Sequence, residues 1–197
     1  MAKKNILKAA ALIILIITLF LIYSADLDFW QLRRSFEVIQ YENYILKYAE
    51  KNAIEAELLA AIIYVESRFD QSSESFRGAL GLMQIMPATG AWIAEEIGVD
   101  DFELEDLFDP ETNIKLGSWY FAYLYEKHDG HLVKSLAAYN AGQNTVRRWM
   151  RSGWQGEIED YEIPFAETDK YVRRVLSTRD YYQNSNIFRL FDKCCEI

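Results

Sequence analysis

The chain has 197 residues, 51% of them hydrophobic and 15% aromatic, which is enough for one domain with a sizeable core. Its formal net charge is −9. Residues 1–25 contain three lysines and no acidic residue, so their charge is +3 and residues 26–197 carry −12. Such an acidic domain is a poor binder of nucleic acid, and an anionic polymer would gain nothing from long-range attraction. Any polymeric ligand would have to be held by stacking and hydrogen bonds, for which 13 tyrosines and five tryptophans are available.

The first 25 residues differ from the rest of the chain. Lys3, Lys4 and Lys8 precede an uncharged stretch, residues 9–25, that is dominated by Ile and Leu. As a helix this stretch would extend about 25 Å, at the short end for crossing a bilayer. The lysines predict that the N-terminus lies on the cytoplasmic side and the remainder outside. We therefore predict a single-pass anchor in the cell membrane, followed by an extracytoplasmic domain.

A cleaved signal peptide is the alternative interpretation of residues 1–25. Apart from Ser24 and Ala25, the side chains near the possible cleavage region are large where a cleavage site favours small ones. We therefore favour an uncleaved anchor. The remainder is predicted to consist of a linker, one compact domain and a C-terminal tail, at residues 26–39, 40–183 and 184–197.

The rest of the chain shows helical periodicity and no clear strand alternation, which predicts an all-α domain. Pro87 suits the first turn of one helix, and Asp109-Pro110 reads as an N-cap followed by proline at the first helical position. Gly142 should close another helix, and Asn144 should cap the one after it. The predicted helices lie at about 41–52, 55–69, 87–97, 110–128, 132–141, 144–153 and 167–183.

Three groups of residues of the types found in metal or redox sites have simpler interpretations. Residues 99–109 are rich in acids but lack the glycine and the terminal glutamate of a calcium loop, so we predict a solvated loop. The only histidines, His128 and His131, are predicted to lie at the surface near helix ends. Cys194 and Cys195 are adjacent and read as free thiols on the tail. We predict no metal site and no cofactor, and the sequence indicates no particular protein partner.

Glu66 is the most unusual titratable residue of the chain. It follows eight uncharged residues, and on a helix Leu59, Ile62 and Ile63 would share its stripe. An acid at the end of an apolar stripe loses hydration, so its pKa should rise and it should hold a proton near neutral pH. A neutral carboxylic acid that can donate its proton is what cleavage of a glycosidic bond requires. The plainer alternative is a buried salt bridge.

Three further segments carry polar groups among small and apolar residues. Residues 75–87 combine glycines with the amide of Gln84, residues 137–142 carry Tyr139 and an asparagine near a helix end, and residues 161–168 carry acids before a predicted helix. Each segment alone also fits an ordinary core-lining loop or helix cap. Their order and spacing together are far more specific.

Glu66-Ser67 is followed by Gly-Leu-Met-Gln-Ile-Met-Pro at 81–87, Ala-Tyr-Asn-Ala-Gly at 138–142 and Ile-Pro-Phe-Ala-Glu-Thr at 163–168. In these motifs the chain resembles the catalytic domain of the soluble lytic transglycosylases, goose-type-lysozyme-like enzymes that cut bacterial peptidoglycan. The resemblance covers roughly residues 40–183, and no motif position departs from the family pattern. It implies a lysozyme-like helical domain whose partner is the peptidoglycan glycan strand.

The resemblance also implies roles for individual residues. Glu66 would be the sole catalytic acid and base. Ser75 and Gln84 would hydrogen-bond sugar substituents, while Met83 and Met86 would line the groove.

Three further roles follow from the same resemblance. Tyr139 would hydrogen-bond Glu66 or hold it in place, Asn140 would contact the substrate, and Glu162 would support the site from further out. The implied reaction cleaves the bond between N-acetylmuramic acid and N-acetylglucosamine and closes a 1,6-anhydro ring without consuming water.

Two alternatives remain open at the level of the sequence. A lysozyme-type hydrolase of the same bond would need a second acid to activate water, and Glu162 or Asp70 could serve. A membrane-anchored, non-catalytic scaffold that binds the cell wall is the other alternative, although a degenerate member would be expected to lose Glu66.

Overall fold

The protein is described from a computed structural model. The chain divides into two units, Met1–Gln40 and Tyr41–Ile197, and of the first only Thr18 and Gln40 are described. The predicted linker, the predicted anchor apart from Thr18, and the two cysteines therefore lie outside the described residues. The described parts are Thr18, residues 40–156, residues 163–185 and Phe188.

Helices account for the regular structure of the described residues, where seven α-helices and one 3-10 helix occur without any strand. Two isolated β-bridges, Glu74–Leu80 and Leu80–Ile85, lie in a long loop. The predicted all-α class is thus confirmed. The α-helices are α1 (Glu42–Lys51), α2 (Ala56–Ser67), α3 (Pro87–Glu96), α4 (Pro110–Lys127), α5 (Leu132–Ala141), α6 (Gln143–Arg151) and α7 (Ala166–Asn184), and the 3-10 helix is Leu104–Phe108.

The predicted membrane anchor is not supported by any described helix. No helix in the described part of the chain combines the length and the apolar character needed to cross a bilayer. The stretch 9–25, on which the prediction rests, lies outside the described residues except for Thr18.

Helix α2 lies at the centre of the domain. All residues from Leu58 to Ile63 are buried, so the helix is enclosed on every side rather than along the single stripe that its spacing predicted. Its most extensive partner is α7, and α1 also packs against it. Each fully buried Leu or Ile side chain stabilises the fold by roughly 1.5–3 kcal/mol. The core therefore holds α2 rigidly up to its last turn.

Helix α4, with 18 residues, packs against the loop between α2 and α3. It begins as predicted, because the Asp109 carboxylate accepts a hydrogen bond of 2.8 Å from the Thr112 backbone N–H and Pro110 occupies the first turn. Gly117 on α4 faces Met83, and an added Cβ at that position would collide with the Met83 side chain. The glycine therefore allows the loop to pack directly on the helix.

Three local predictions need correction. Helix α6 begins at Gln143 behind Gly142, so Asn144 is not its cap. His128 is buried rather than at the surface, because it ends α4 within the fold. The acidic segment is not simply a solvated loop: Glu103 and Asp106 form a reciprocal capping box at the start of the 3-10 helix, which accounts for two of its acids.

Candidate active site

Glu66 occupies the last turn of α2, at the point where the central helix reaches a surface cleft. The backbone turns sharply beyond it, since Arg68 and Phe69 adopt left-handed conformations with φ of 56° and 62°. Such conformations are costly for residues other than glycine and are retained where the surrounding structure requires them. The turn ends the helix at Ser67, one residue after Glu66, whose side chain lines the cleft.

The cleft has a volume of about 580 Å³ and is formed by segments that are distant in the sequence. Six of the eight residues predicted for the site line it: Glu66, Ser75, Gln84, Met86, Tyr139 and Asn140. The remaining described lining residues are Phe76, Arg77, Ala79, Ile85, Thr89, Tyr120, Ala141, Gly142 and Glu167.

The Glu66 side chain is partly exposed to the cleft, while its carboxyl group is densely surrounded by protein. This burial raises the pKa of the carboxyl from its ordinary 4.5 to about 7, against the opposing effects of the Tyr171 hydroxyl and the Arg174 charge. Glu66 is therefore protonated in a large fraction of molecules at neutral pH. The plainer reading of Glu66 as half of a salt bridge does not fit, because no ion pair of the described residues includes it.

Tyr171, on α7, is a neighbour of Glu66 to which the sequence assigned no role in the site. It is buried, and its hydroxyl approaches the carboxyl closely enough to lower the pKa of Glu66, although the contact lacks regular hydrogen-bond geometry. Burial, followed by the charge of Glu66, raises the pKa of the Tyr171 hydroxyl well above its usual value. The only sequence signal for Tyr171 was its place on the face of α7 that also buries Val172 and Val175.

Tyr139 lies in the same wall, but its hydrogen bond differs from the one expected. Its hydroxyl donates a 2.9 Å hydrogen bond to the backbone carbonyl of Met83, not to Glu66. Burial, followed by the nearby Glu66 charge, raises the pKa of this hydroxyl well above its usual value, so it stays protonated. Tyr139 thus fixes the loop beside Glu66 rather than holding the carboxyl directly.

Asn140 is oriented by a residue on another helix. Its Oδ1 accepts a 2.8 Å hydrogen bond from the buried hydroxyl of Thr168, in the first turn of α7. The oxygen is therefore occupied, and the amide NH₂ is left to donate into the cleft. The sequence suggested for Thr168 only a role at the start of a helix.

The Ser75 and Gln84 side chains each use part of their hydrogen-bonding capacity within the protein. The Ser75 hydroxyl oxygen accepts from the Ala79 backbone N–H at 2.9 Å, which leaves its proton to donate. The Gln84 amide nitrogen donates to the carbonyls of Ser73 and Gly81, at 3.1 and 2.9 Å, which leaves Oε1 to accept. The pair therefore presents one donor and one acceptor to a ligand.

The two methionines predicted to line the groove behave differently. Met86 is 43% exposed and lines the cleft, whereas Met83 is fully buried against Gly117 and does not reach it. The prediction for the Met83 side chain is therefore wrong. Asn113 adds to this arrangement, because its buried amide accepts from the Met83 N–H at 2.7 Å and donates to the carbonyls of Leu80 and Leu107.

Carboxylates other than Glu66 are few around the cleft. Glu167 lines it and is exposed, in the first turn of α7. Asp70 is not among the lining residues, and its carboxylate accepts from the backbone N–H and the hydroxyl of Ser72. Glu162 lies outside the described residues. The described cleft thus combines one buried, protonatable acid with uncharged hydrogen-bonding groups, while the charged Arg77 and Glu167 in its lining are exposed. Such an acid is suited to protonating a leaving oxygen.

Comparison with protein families decides the classification, because the model of the transglycosylase SLT domain matches residues 43–161, more than half of the chain. The chain belongs to the transglycosylase SLT domain family. The resemblance inferred from the motifs is thus confirmed. The match includes α1, apart from its first residue, and α2 to α6, with the residues Glu66, Tyr139 and Asn140.

Full-length relatives of this SLT domain include soluble and membrane-bound proteins. The soluble lytic murein transglycosylase of Escherichia coli strain K12 is 35% identical over 150 residues, which cover 74% of this chain and 23% of the relative. The membrane-bound lytic murein transglycosylase F of Desulfosudis oleivorans is 37% identical over 152 residues, covering 74% and 31%. The chain thus spans less than a third of the length of these relatives.

Solved structures similar to the SLT domain are lytic transglycosylases with the same fold. The 70 kDa soluble lytic transglycosylase of Escherichia coli superimposes with a TM-score of 0.68 at 34% identity, covering 73% of this chain and 24% of that one. A complex of the 70 kDa soluble lytic transglycosylase with bulgecin A gives 0.67 at 35% identity, with coverage of 73% and 24%. The lysozyme-like SLT fold is therefore shown.

Proposed function

We propose that this domain is a lytic transglycosylase that cleaves the β-1,4 bond between N-acetylmuramic acid and N-acetylglucosamine in peptidoglycan. The observation that carries the proposal is Glu66, a carboxyl group with a pKa of about 7 that opens onto a cleft of donors and acceptors. The family membership and the names of the relatives, which are lytic murein transglycosylases, support the same substrate.

The reaction begins with protonated Glu66 as a general acid. Its proton passes to the glycosidic oxygen, the bond from that oxygen to C1 of the muramic acid breaks, and N-acetylglucosamine leaves with a free hydroxyl. Positive charge develops at C1, where the neighbouring N-acetyl group of the substrate stabilises it. No second carboxylate is needed for this step.

Glu66 then acts as a base in the second half of the reaction. The ionised carboxylate takes the proton from the C6 hydroxyl of the same sugar while that oxygen bonds to C1, which closes the 1,6-anhydro ring and restores the acid. The attack is intramolecular and benefits from a high effective molarity. We assign the free donors of Ser75 and Asn140 and the free acceptor of Gln84 to holding sugar substituents during both steps.

The test of this proposal is digestion of purified peptidoglycan by the Glu66→Gln variant. The substitution keeps size and polarity but removes the transferable proton, so we expect a loss of about 10²–10⁴-fold in rate. Glu57→Gln is the matched control, because Glu57 lies in the first turn of the same helix and does not line the cleft. Wild-type digestion rates in a folded Glu66→Gln variant would refute the role of Glu66.

A hydrolase of the same bond is the second candidate, and Glu167 is the observation that favours it. This acid lines the cleft together with Glu66 and could serve as the base that a hydrolase needs to activate water. Mass spectrometry of the products separates the two reactions, since anhydro ends indicate transglycosylation and reducing ends indicate hydrolysis. We expect anhydro ends, both from the unmodified protein and from Glu167→Gln.

We further propose that residues 9–25 anchor the domain on the outer face of the cell membrane. The uncharged sequence behind three lysines supports this location, and one relative is named as membrane-bound. The test is extraction of membranes at alkaline pH, followed by intact mass measurement. Retention in the membrane with the N-terminal segment present is the expected result, whereas a protein that lacks these residues would indicate a cleaved signal peptide.

A further inference from the structure

Helix α6 concentrates positive charge on one side of an otherwise acidic domain. Its nine residues include Arg147, Arg148 and Arg151 and no acidic residue. All three arginines are exposed. At about 100° per residue they share one side of the helix, roughly opposite the buried Val146. We call these three arginines the α6 basic face, and none of them lines the Glu66 cleft.

The charge of the α6 basic face is not neutralised within the described part of the chain. No ion pair of the described residues includes an arginine of α6, and Arg148 donates a 3.1 Å hydrogen bond to the uncharged hydroxyl of Thr145. Like charges three and four residues apart repel each other on a helix surface. The helix dipole favours Arg148 and Arg151 in the last turn, but it does not remove this repulsion. An anionic surface against the helix would remove it.

Lys134 extends this positive region onto α5. The chain that leaves α6 packs over its side chain, because a Cβ added to Gly156 would lie 2.6 Å from the Lys134 Cε. Burial is the main cause that lowers the pKa of His128, and the charges of Lys134 and, more weakly, Arg147 lower it further. Both cations therefore lie near the same buried ring, and the positive region is continuous from α5 to α6.

Apolar side chains border the α6 basic face. Met150, three residues after Arg147, is 38% exposed. Trp149 and Trp154 are partly exposed and pack edge to face, with ring centroids 5.9 Å apart. Arginines beside tryptophan and other apolar groups are typical of segments at the boundary between lipid headgroups and acyl chains. A soluble anion would use the arginines alone, whereas a lipid surface uses both features.

We propose that the α6 basic face is a docking surface for a bilayer that contains anionic phospholipids. Its guanidinium groups bind headgroup phosphates, for which the paired donors of arginine are suited, and Met150 contacts the apolar layer beneath. The same bilayer would repel the rest of this strongly acidic domain, so contact through α6 gives the domain one preferred orientation. A chain anchored by residues 9–25, as proposed above, would meet the surface at high effective concentration. The inference goes beyond the proposed cleavage reaction and does not depend on it.

The test is co-sedimentation of the domain with phospholipid vesicles. A protease site inserted into residues 26–39 of the full chain releases the domain after it has folded, so that the N-terminal segment cannot account for binding. We expect the domain to sediment with vesicles of phosphatidylcholine and phosphatidylglycerol in equal parts, but not with phosphatidylcholine alone. High salt should release it, because the contact is electrostatic. Absence of binding to the anionic vesicles at low salt would overturn the proposal.

Variants of the arginines locate the contact. Arg147→Gln, Arg148→Gln and Arg151→Gln combined should lower the partition coefficient onto anionic vesicles by about 100-fold, at roughly fivefold for each arginine. If this triple variant fails to fold, as judged by near-UV circular dichroism, Arg151→Glu alone decides. It reverses one charge and should lower the coefficient by about 25-fold.

The matched control changes the net charge by the same amount at exposed lysines outside α6. It combines Lys51→Gln, Lys127→Gln and Lys170→Gln. We expect this control to bind anionic vesicles nearly as well as the unmodified domain. Equal binding by the folded arginine variant and the control would show that α6 is not the docking surface.

Two further outcomes would assign the α6 basic face to another occupant and overturn the proposal. Binding to soluble poly(glycerol phosphate) without binding to vesicles would make a phosphate polymer the occupant. Binding to vesicles only after the acids of residues 157–162 are neutralised would make that segment the occupant. Digestion of soluble glycan strands by the same preparations tests the proposed function separately, since no arginine of the α6 basic face lines the cleft.

Discussion

The hydroxyl of Thr168 donates a 2.8 Å hydrogen bond to Oδ1 of Asn140, which connects the first turn of α7 to the last turn of α5 beside the cleft. Thr168 is 1% exposed, so the bond is shielded from water. It determines which end of the Asn140 amide faces a ligand. A residue that touches no substrate therefore controls the orientation of one that we propose does.

Replacing Thr168 with valine should impair the reaction although the shape is conserved. The Asn140 oxygen would lose its donor and the amide would be free to rotate, so we expect about a tenfold lower kcat/KM, the value of one buried hydrogen bond. Thr168→Ser keeps the hydroxyl and should recover most of the activity. Equal activities of the Val and Ser variants would show that the bond has no positioning role.

The pKa of Glu66 should determine the pH dependence of cleavage. The acid must be protonated in the free enzyme, and burial raises its pKa to about 7. We therefore expect kcat/KM to decrease above pH 7, by about tenfold for each further pH unit. Initial rates of peptidoglycan solubilisation between pH 5 and pH 9 would measure this. A profile that declines already near pH 4.5 would mean that the carboxyl is solvated as in a free glutamate.

Glu66 should also destabilise the fold at alkaline pH. Below pH 4.5 the carboxyl is protonated in the folded and unfolded states alike, so it has no net effect. Between pH 4.5 and 7 the unfolded state releases the proton first, and the free energy of unfolding decreases as the pH rises. Above pH 7 the loss levels off, at no more than about 3 kcal/mol.

The Glu66→Gln variant makes this loss measurable, because glutamine does not titrate. Its stability relative to the unmodified protein should increase from pH 4 to pH 8 by up to about 3 kcal/mol. Urea unfolding of both proteins at the two pH values gives the difference directly. A difference independent of pH would contradict the buried, raised-pKa state of Glu66.

Two glycines of the loop between α2 and α3 should respond differently to alanine. Both Gly78 and Gly81 have left-handed φ, at 78° and 73°, but an added Cβ meets open space at Gly78 and the Leu107 carbonyl and Asn113 amide at Gly81. Gly78→Ala should therefore lose only about 1–2 kcal/mol of backbone energy. Gly81→Ala should lose a further ~1–3 kcal/mol through overpacking, as measured by urea unfolding. Equal losses would contradict the close packing of this loop on α4.

The sequence predicted the ends of a helix correctly wherever a residue at that end determines it. Asp109 caps α4, Pro87 opens α3 and Gly142 closes α5, because a cap or a fixed φ acts on the residues beside it. The prediction failed at Asn144, because Gly142, with a φ of 86°, is already the N-cap of the next helix. Where two neighbouring residues could each cap a helix, only the tertiary structure shows which one does.

The positions and partners of individual side chains were harder to predict than which segments form the site. Met83 and Met86 belong to one motif, yet Met83 is buried because Gly117, distant in the sequence, leaves room for it. Tyr139 was expected to hydrogen-bond Glu66 or hold it in place, and it does lie near Glu66, but its hydroxyl donates a hydrogen bond to the Met83 carbonyl. The hydrogen bonds from Thr168 to Asn140 and between Asn113 and the segment of Leu80 and Met83 were not predicted, since these partners lie 28 to 33 residues apart along the chain.

The sequence alone determined the helical class, the family motifs and the unusual character of Glu66, because each depends on residues close together along the chain. It also indicated that an acid behind an uncharged run loses hydration. Only the tertiary structure decided how far the pKa of Glu66 rises, since that depends on how completely the fold buries the carboxyl and on how far the Tyr171 hydroxyl and the Arg174 charge, which lower the pKa, oppose this burial. The cleft itself is likewise tertiary, because its walls come from α2, α3, α4, α5 and α7.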